Sequence, residues 1–179
     1  MPSTYNLFGG AITVELPPDL IDASNLRQIP DTQEVLLATD SDVSIVLEIL
    51  ESVSPKDPIE VAKFHFDSLA HDNDAVHFEV EGVNIPPQQP VAPTPIELSV
   101  LQGTQKVPKF NRTRPDTVKI LLAVYRVVEK NADLVLTFNV PVATEKENSA
   151  VNEQGAQYWQ AAYETAVSSL KIVDVGLFA

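Results

Sequence analysis

The stretch TVKILLAVYRVVEKNADLVLTFNVPV, residues 117–142, decides the fold class. Its two apolar runs, Thr117–Glu129 and Leu134–Val142, are rich in the β-branched and aromatic residues that suit a pleated surface. Lys130-Asn131-Ala132-Asp133 forms a short polar joint between them, so the pair reads as a hairpin. A joint this short makes the strands antiparallel, because parallel neighbours need a crossover of roughly a dozen residues or more.

The same reading extends outward in both directions. Ile96–Val107 is a third strand, and Val76–Val83 alternates as a fourth. Glu34–Ala38 and Ser44–Glu51 flank Thr39-Asp40-Ser41-Asp42 as a second hairpin. Ala11–Leu16 follows a Gly9-Gly10 turn and stops at Pro17-Pro18, which ends a short strand. Residues Asp19–Thr32 carry no regular period, and Pro30-Asp31 marks a turn among them.

Two amphipathic helices complete the inventory. Asp57 is placed to cap the first, Pro58 suits its first helical position, and Glu60 stands three residues after the cap. Over Pro58–Ala70 the residues Ile59, Ala62, Phe66, Leu69 and Ala70 share one face, against Glu60, Lys63, Asp67 and His71. The second helix spans Ala150–Ser169, with Val151, Tyr158, Ala162, either Thr165 or Ala166, and Ser169 at helical spacing. Residues Asn84–Pro95 hold five of the fourteen prolines, so they form an extended connection rather than a helix or central strand. Neither half could cover a sheet alone, so residues 1–179 are expected to form one domain. The fold class is α/β of the α+β type: about six strands, mostly antiparallel, flanked by helices.

Charge narrows the function. The net charge is −13, and residues 1–81 carry all of the excess, with 16 acids against the three bases Arg27, Lys56 and Lys63. A surface of this sign repels phosphate, so neither nucleic acid nor an anionic membrane is an expected partner. A basic macromolecular partner or simple solubility fits, and like-charge repulsion favours a monomer. There are no cysteines, which excludes disulfides, thiolate metal sites and Cys nucleophiles and suits a reducing compartment. Met1–Tyr5 lacks the basic and long apolar segments of a secretion signal, so the expectation is a soluble intracellular protein.

Searches for chemistry return little. No G-x-S-x-G elbow occurs, and Gly103-Thr-Gln-Lys106 lacks the second Gly and the Ser/Thr of a phosphate-binding loop. His65 and His71 stand six apart, about 240° around a helix, so they are not a helical metal pair. They and His77 read as ordinary polar or half-buried histidines. No catalytic, cofactor or metal residue is therefore assigned. Lys106, Lys109, Arg112, Arg114 and Lys119 form a basic run, read as a solvated loop or as an internal partner of the acidic half. Asp22, Asp31 and Glu34 stand in or beside the irregular segment, where anchored loop carboxylates are well placed for recognition.

The block LFGGAITVELPPDLIDASNLRQIPDTQEVLL, residues 7–37, resembles the N-terminal signature of the Ran guanine-nucleotide release factor family. The matching pieces are Phe8–Ala11, Pro17-Pro18, Ile21-Asp22, Leu26-Arg27 and Pro30–Val35. Further agreement lies at Ile45–Glu51, Phe64–Phe66, Thr137–Pro141, Val173-Asp174 and Leu177–Ala179. The resemblance implies a six-stranded antiparallel sheet between helices, similar to an extrinsic photosystem subunit. It also implies a regulator without bond chemistry of its own, which binds the GTPase Ran, promotes release of its guanine nucleotide and supports nuclear import. That places the protein in nucleus and cytoplasm and leaves room for a second Ran-binding protein in the complex. Carried over residue by residue, the partner-binding set is Asp22, Asp31 and Glu34, with Arg27 and Gln33 either contacting the partner or holding the loop in shape.

Overall fold

In the computed structural model, which describes every residue except 88, 89, 111 and 147, the 117–142 hairpin stands at the centre of a seven-stranded sheet. Chain order runs β1 (Ser3–Leu7), β2 (Ile12–Leu16), β3 (Ile21–Asp22), β4 (Gln33–Leu37) and β5 (Ser44–Glu51), then α1 (Pro58–Asp72). It continues with β6 (His77–Asn84), β7 (Ile96–Val107), β8 (Asp116–Val127), β9 (Ala132–Ala143), α2 (Glu153–Ser169) and β10 (Lys171–Ile172). The sheet order is β3-β4-β5-β9-β8-β7-β6, and every neighbouring pair is antiparallel. Asn131 makes the central turn in the left-handed region at φ 51°, a conformation that Asn tolerates better than most residues.

The α+β class and the antiparallel sheet agree with expectation, and the count of about six strands becomes seven because Ile21–Asp22 adds a two-residue edge. The first strand differs more. Residues 12–16 do not join the large sheet; β2 pairs with β1 and with β10 as a separate three-stranded sheet. Nothing in local periodicity shows that the two chain ends meet, because the pairing of residues 12–13 with 171–172 is wholly non-local. The proline-rich connection leaves β6 after Asn84 and is tied down where Lys171 Nζ donates to Pro90 O at 2.6 Å.

Each face of the large sheet packs against its own cover. On one face, α2 and the small sheet enclose Leu36, Ile45, Leu47, Leu121, Leu134, Leu136 and Phe138. Phe138 meets the rings of Trp159 and Tyr163 edge-on, at centroid distances of 6.3 and 5.6 Å. The buried residues of α2 are Trp159, Tyr163 and Ala166, whereas Tyr158 is 53% exposed. The apolar stripe thus lies one residue away from the side read at Tyr158, because Ala and Ser positions leave the phase of the pattern weakly determined. Two hydroxyls fasten the helix reciprocally: Tyr163 donates to Leu122 O at 2.6 Å, and Tyr125 donates to Val167 O at 2.9 Å. Burial pushes both phenols well above the ordinary tyrosine range.

On the opposite face, α1 lies over β7 and β6 and reaches β8. Its start follows the sequence reading, with Asp57 Oδ1 accepting from Ile59 N at 3.2 Å. Phe66 sits so close to β7 that a Cβ on Gly103 would meet its ring at 2.7 Å. Glycine at 103 therefore serves close packing rather than phosphate binding. The buried face comprises Val61, Ala62, His65, Phe66 and Ala70, and it includes a histidine expected to be no more than half-buried.

His65 belongs to a buried ionic cluster. Asp133, fully buried on β9, stands directly opposite Arg126 on β8. Arg126 Nε and Nη2 donate to its two oxygens at 2.8 and 3.0 Å. His65 Nε2 lies 2.8 Å from Asp133 Oδ2, and the ionised carboxylate can only accept, so Nε2 carries the proton. Arg126 also donates to Pro55 O and Val53 O, and Val53 N donates to Asp133. Burial alone pushes the Asp133 carboxyl up, but the His65 and Arg126 hydrogen bonds, the guanidinium charge and Val53 N–H bring it down to about 2.

Replacing Asp133 with Ala leaves Arg126 buried without its counter-ion, so a loss of about 3–5 kcal/mol is expected in urea unfolding. The depressed carboxyl also predicts a pH dependence. It contributes about 2–3 kcal/mol above the unfolded pKa of 3.8, and this is lost as pH falls through about 2. Urea midpoints measured between neutral pH and pH about 2 should show that loss in the native chain and not in Asp133→Ala.

Candidate functional site

The five residues singled out in the sequence lie at the β3–β4 edge of the large sheet, but strand alternation divides them. Side chains two apart on a strand share a face, and directly opposed residues of an antiparallel pair do as well. Asp22 pairs with Leu36, and Glu34 is two residues before Leu36, so Asp22 and Glu34 share the face of the small sheet and α2. Gln33 points to the other face, where its Nε2 donates to Glu48 Oε2 at 2.6 Å.

Glu34 has a defined local task. Its Oε2 accepts from Phe8 N at 2.9 Å. Phe8, Gly9 and Gly10 have φ of 52°, 67° and 94°, three consecutive residues in a region that only glycine occupies freely. The Phe8-Gly9-Gly10 turn carries β1 back into β2, and the Glu34 carboxylate fastens it to the large sheet. A carboxylate bond to backbone N–H is among the stronger hydrogen bonds.

Asp22 is likewise partly occupied. Its Oδ1 accepts from Ser24 N at 2.9 Å and from Ser24 Oγ at 2.7 Å, capping a short turn at Ala23–Asn25. Asp31 is exposed at the turn in which Gln33 N donates to Pro30 O at 3.0 Å. Arg27 is exposed, and its N–H closes the Ala23–Asn25 turn through Ala23 O at 3.0 Å. The edge thus presents carboxylates whose backbones are held by turns and capping bonds. Beside them stands Leu26, a large apolar side chain 67% exposed, which the charge-led reading passed over. The available signal was a large apolar residue in a segment without hydrophobic periodicity.

Other candidates resolve differently. Arg112 of the basic run lies against Asp116 and reaches Asp42 at 3.7 Å, while Arg114 Nε is 3.4 Å from Glu145. Two of the run's five bases therefore neutralise acids of their own chain, including one from the acidic half. His77 is exposed and stands 4.0 Å from Glu79, and no group of three metal-ligating side chains occurs among the described residues.

The fold defines a class: an α+β protein with a large antiparallel sheet and a helix on each face. The same fold occurs in cyanobacterial PsbP from Synechocystis, at TM-score 0.60 and 12% identity over 96% of this chain and 92% of that one. A family model described as Ran-interacting Mog1 protein matches residues 5–141. The chain belongs to that family. It is 33% identical over 178 residues to the Ran guanine nucleotide release factor of Danio rerio, covering 96% of this chain and 97% of that protein. The nuclear import protein mog1 of Schizosaccharomyces pombe is 32% identical over 189 residues, covering 97% and 98%. The crystal structure of the Saccharomyces cerevisiae Ran-binding protein Mog1p superposes at TM-score 0.77, with 28% identity over 100% of this chain and 99% of that one.

Glu34 should respond differently to loss of its hydrogen bond and loss of its charge. Glu34→Ala removes the acceptor, and a stability loss of about 1–2 kcal/mol is expected, with faster amide exchange at Phe8. Glu34→Gln keeps an amide oxygen that can accept, so Phe8 should retain most of its protection. Equal exchange rates at Phe8 in both variants would show that the turn does not depend on this bond.

Proposed function

We propose that the protein binds the GTPase Ran and promotes release of its guanine nucleotide, in support of nuclear protein import. Membership of the Ran-interacting family carries this reading. The acidic β3–β4 edge is the surface assigned to the contact, through Asp22, Asp31 and Glu34, with Arg27 and Gln33 as supporting residues. Action on both sides of the nuclear envelope places the protein in nucleus and cytoplasm.

Release requires differential affinity. A protein that binds loaded and nucleotide-free GTPase equally well shifts nothing, however tightly it binds. The acidic edge meets that condition if it pairs with the basic region that the departing phosphates uncover. Phosphate and carboxylate then compete for the same cations, so each weakens the other by the same factor. Negative charge facing a basic patch also speeds encounter at low salt. Such a regulator moves an equilibrium and its rates without making or breaking a covalent bond.

The test is release of a fluorescent guanine nucleotide from Ran, with binding measured separately for loaded and nucleotide-free Ran. Native protein should accelerate release and prefer the nucleotide-free form. Glu34→Gln should weaken that binding by about tenfold or more if the carboxylate is desolvated in the complex. Asp31→Asn, at an exposed position, should cost about fivefold or less. Tight binding without faster release would leave an adaptor, and unchanged affinity in both variants would remove the edge from the interface.

A further inference from the structure

Three segments meet beside the N-terminal end of α2: Pro17–Leu20 after β2, the Ala38–Ser41 loop between β4 and β5, and the helix itself. Between them opens a cavity of about 550 Å³. Tyr158, Pro17 and Pro18 line both this cavity and a second one of about 170 Å³, so the two hollows adjoin across a ridge of aromatic and proline rings. The ridge is held in place from below. The Tyr5 hydroxyl donates to Pro17 O at 2.9 Å, and the Tyr158 ring stands edge-on to Trp159 at a centroid distance of 5.2 Å.

Trp159 supplies a polar group to the larger hollow. The residue is only 6% exposed, and its indole Nε1 donates to no acceptor among the described residues. That nitrogen is not sealed inside the protein either, since Asp116 Oδ1 is the one buried side-chain polar atom without a partner among those residues. The N–H therefore belongs to the part of the ring that stays open, and the cavity that Trp159 lines is this one. An indole N–H can only donate, so its complement is an acceptor.

The charge around the two hollows has one sign. Asp19 and Asp40 line the larger and Glu15 the smaller, and no lysine or arginine lines either. None of these three carboxylates enters an ion pair among the described residues, so their charge is left for an outside cation.

We propose that this double groove binds a proline-rich segment of another protein that carries a basic residue beside its prolines. A polyproline II helix repeats every three residues, so rings on one of its sides can fill two neighbouring hollows across an aromatic ridge. Its carbonyls make no internal hydrogen bonds and its prolines bring no N–H, so it presents acceptors in excess to the Trp159 donor. A segment already extended also loses less freedom on docking than a flexible one. The basic residue meets Asp19 or Asp40 at the rim and fixes the direction in which the segment lies. The groove shares no residue with the β3–β4 edge set and does not depend on the Ran reading.

Trp159 is the only tryptophan of the chain, so its indole N–H signal reports on this groove alone. The test titrates isotope-labelled full-length protein with the peptide acetyl-Pro-Pro-Leu-Pro-Pro-Arg-amide, followed by NMR. The same peptide with alanine for every proline, the same peptide with glutamine for arginine, and arginine amide alone serve as parallel probes. The proline peptide should give a saturable shift of the indole N–H, the glutamine version should bind about two- to fivefold more weakly, and the other two should not saturate. Tyr158→Ala should weaken binding by about tenfold or more, and Asp40→Asn by about two- to fivefold. Glu81→Gln, on β6, should leave it unchanged. Tyr158 is an exposed residue, so its variant keeps the fold and the test stays decisive. A proline peptide that leaves the indole signal unmoved, an alanine peptide that binds as tightly, or affinity unchanged in Tyr158→Ala would overturn the proposal.

Discussion

The arrangement depends on one buried carboxylate. Asp133 holds Arg126 across the central hairpin, takes His65 from α1, and accepts Val53 N–H from the segment that leads into that helix. Arg126 adds Pro55 O and Val53 O, so the hairpin meets both α1 and the segment before it, distant in sequence, at one ion pair. A buried pair of this kind is poor evidence of large net stability, because desolvation offsets much of the attraction. What it provides is position. The cluster ties the hairpin, α1 and the segment before it to the same two side chains, and this fixes where α1 enters on the sheet.

Most of the frame was legible because each strand announces itself locally. The 117–142 stretch carries its strands and its turn in one continuous run, and Asp57-Pro58 marks the start of α1 with a cap and a fixed φ. What could not be read was pairing between distant segments. Strand β10 is two residues long and has no pattern of its own; it exists because Ile172 and Lys171 find Ile12 and Thr13 across the whole chain. The burial of His65 was hidden for the same reason. Its partner lies 68 residues away, and helical spacing alone places a polar residue on whichever face the pattern leaves open.

The site was legible as a segment and not as a surface. Gln33 and Glu34 are neighbours in the most specific block of the chain, yet the pleat sends them to opposite faces. Glu34 meets Phe8, whereas Gln33 meets Glu48. The basic run shows the converse. Arg112 and the carboxylates of Asp42 and Asp116 are scattered in sequence, and folding gathers them at one rim. Net charge by halves therefore describes the chain better than it describes either face of the molecule.

In the proposed contact with Ran, Glu34 joins a structural bond to recognition. A free surface glutamate loses rotamer entropy when a partner captures it, and this subtracts from affinity. Here the entropy is already lost, because Phe8 N–H holds one oxygen in place while the side chain stays only half-buried. The other oxygen keeps its charge and direction for a cation. The positive-φ Phe8-Gly9-Gly10 turn, which costs conformational energy at Phe8, supplies the donor that achieves this. Loop strain on one sheet thus becomes side-chain order on the other, and an otherwise ordinary carboxylate becomes a preorganised one.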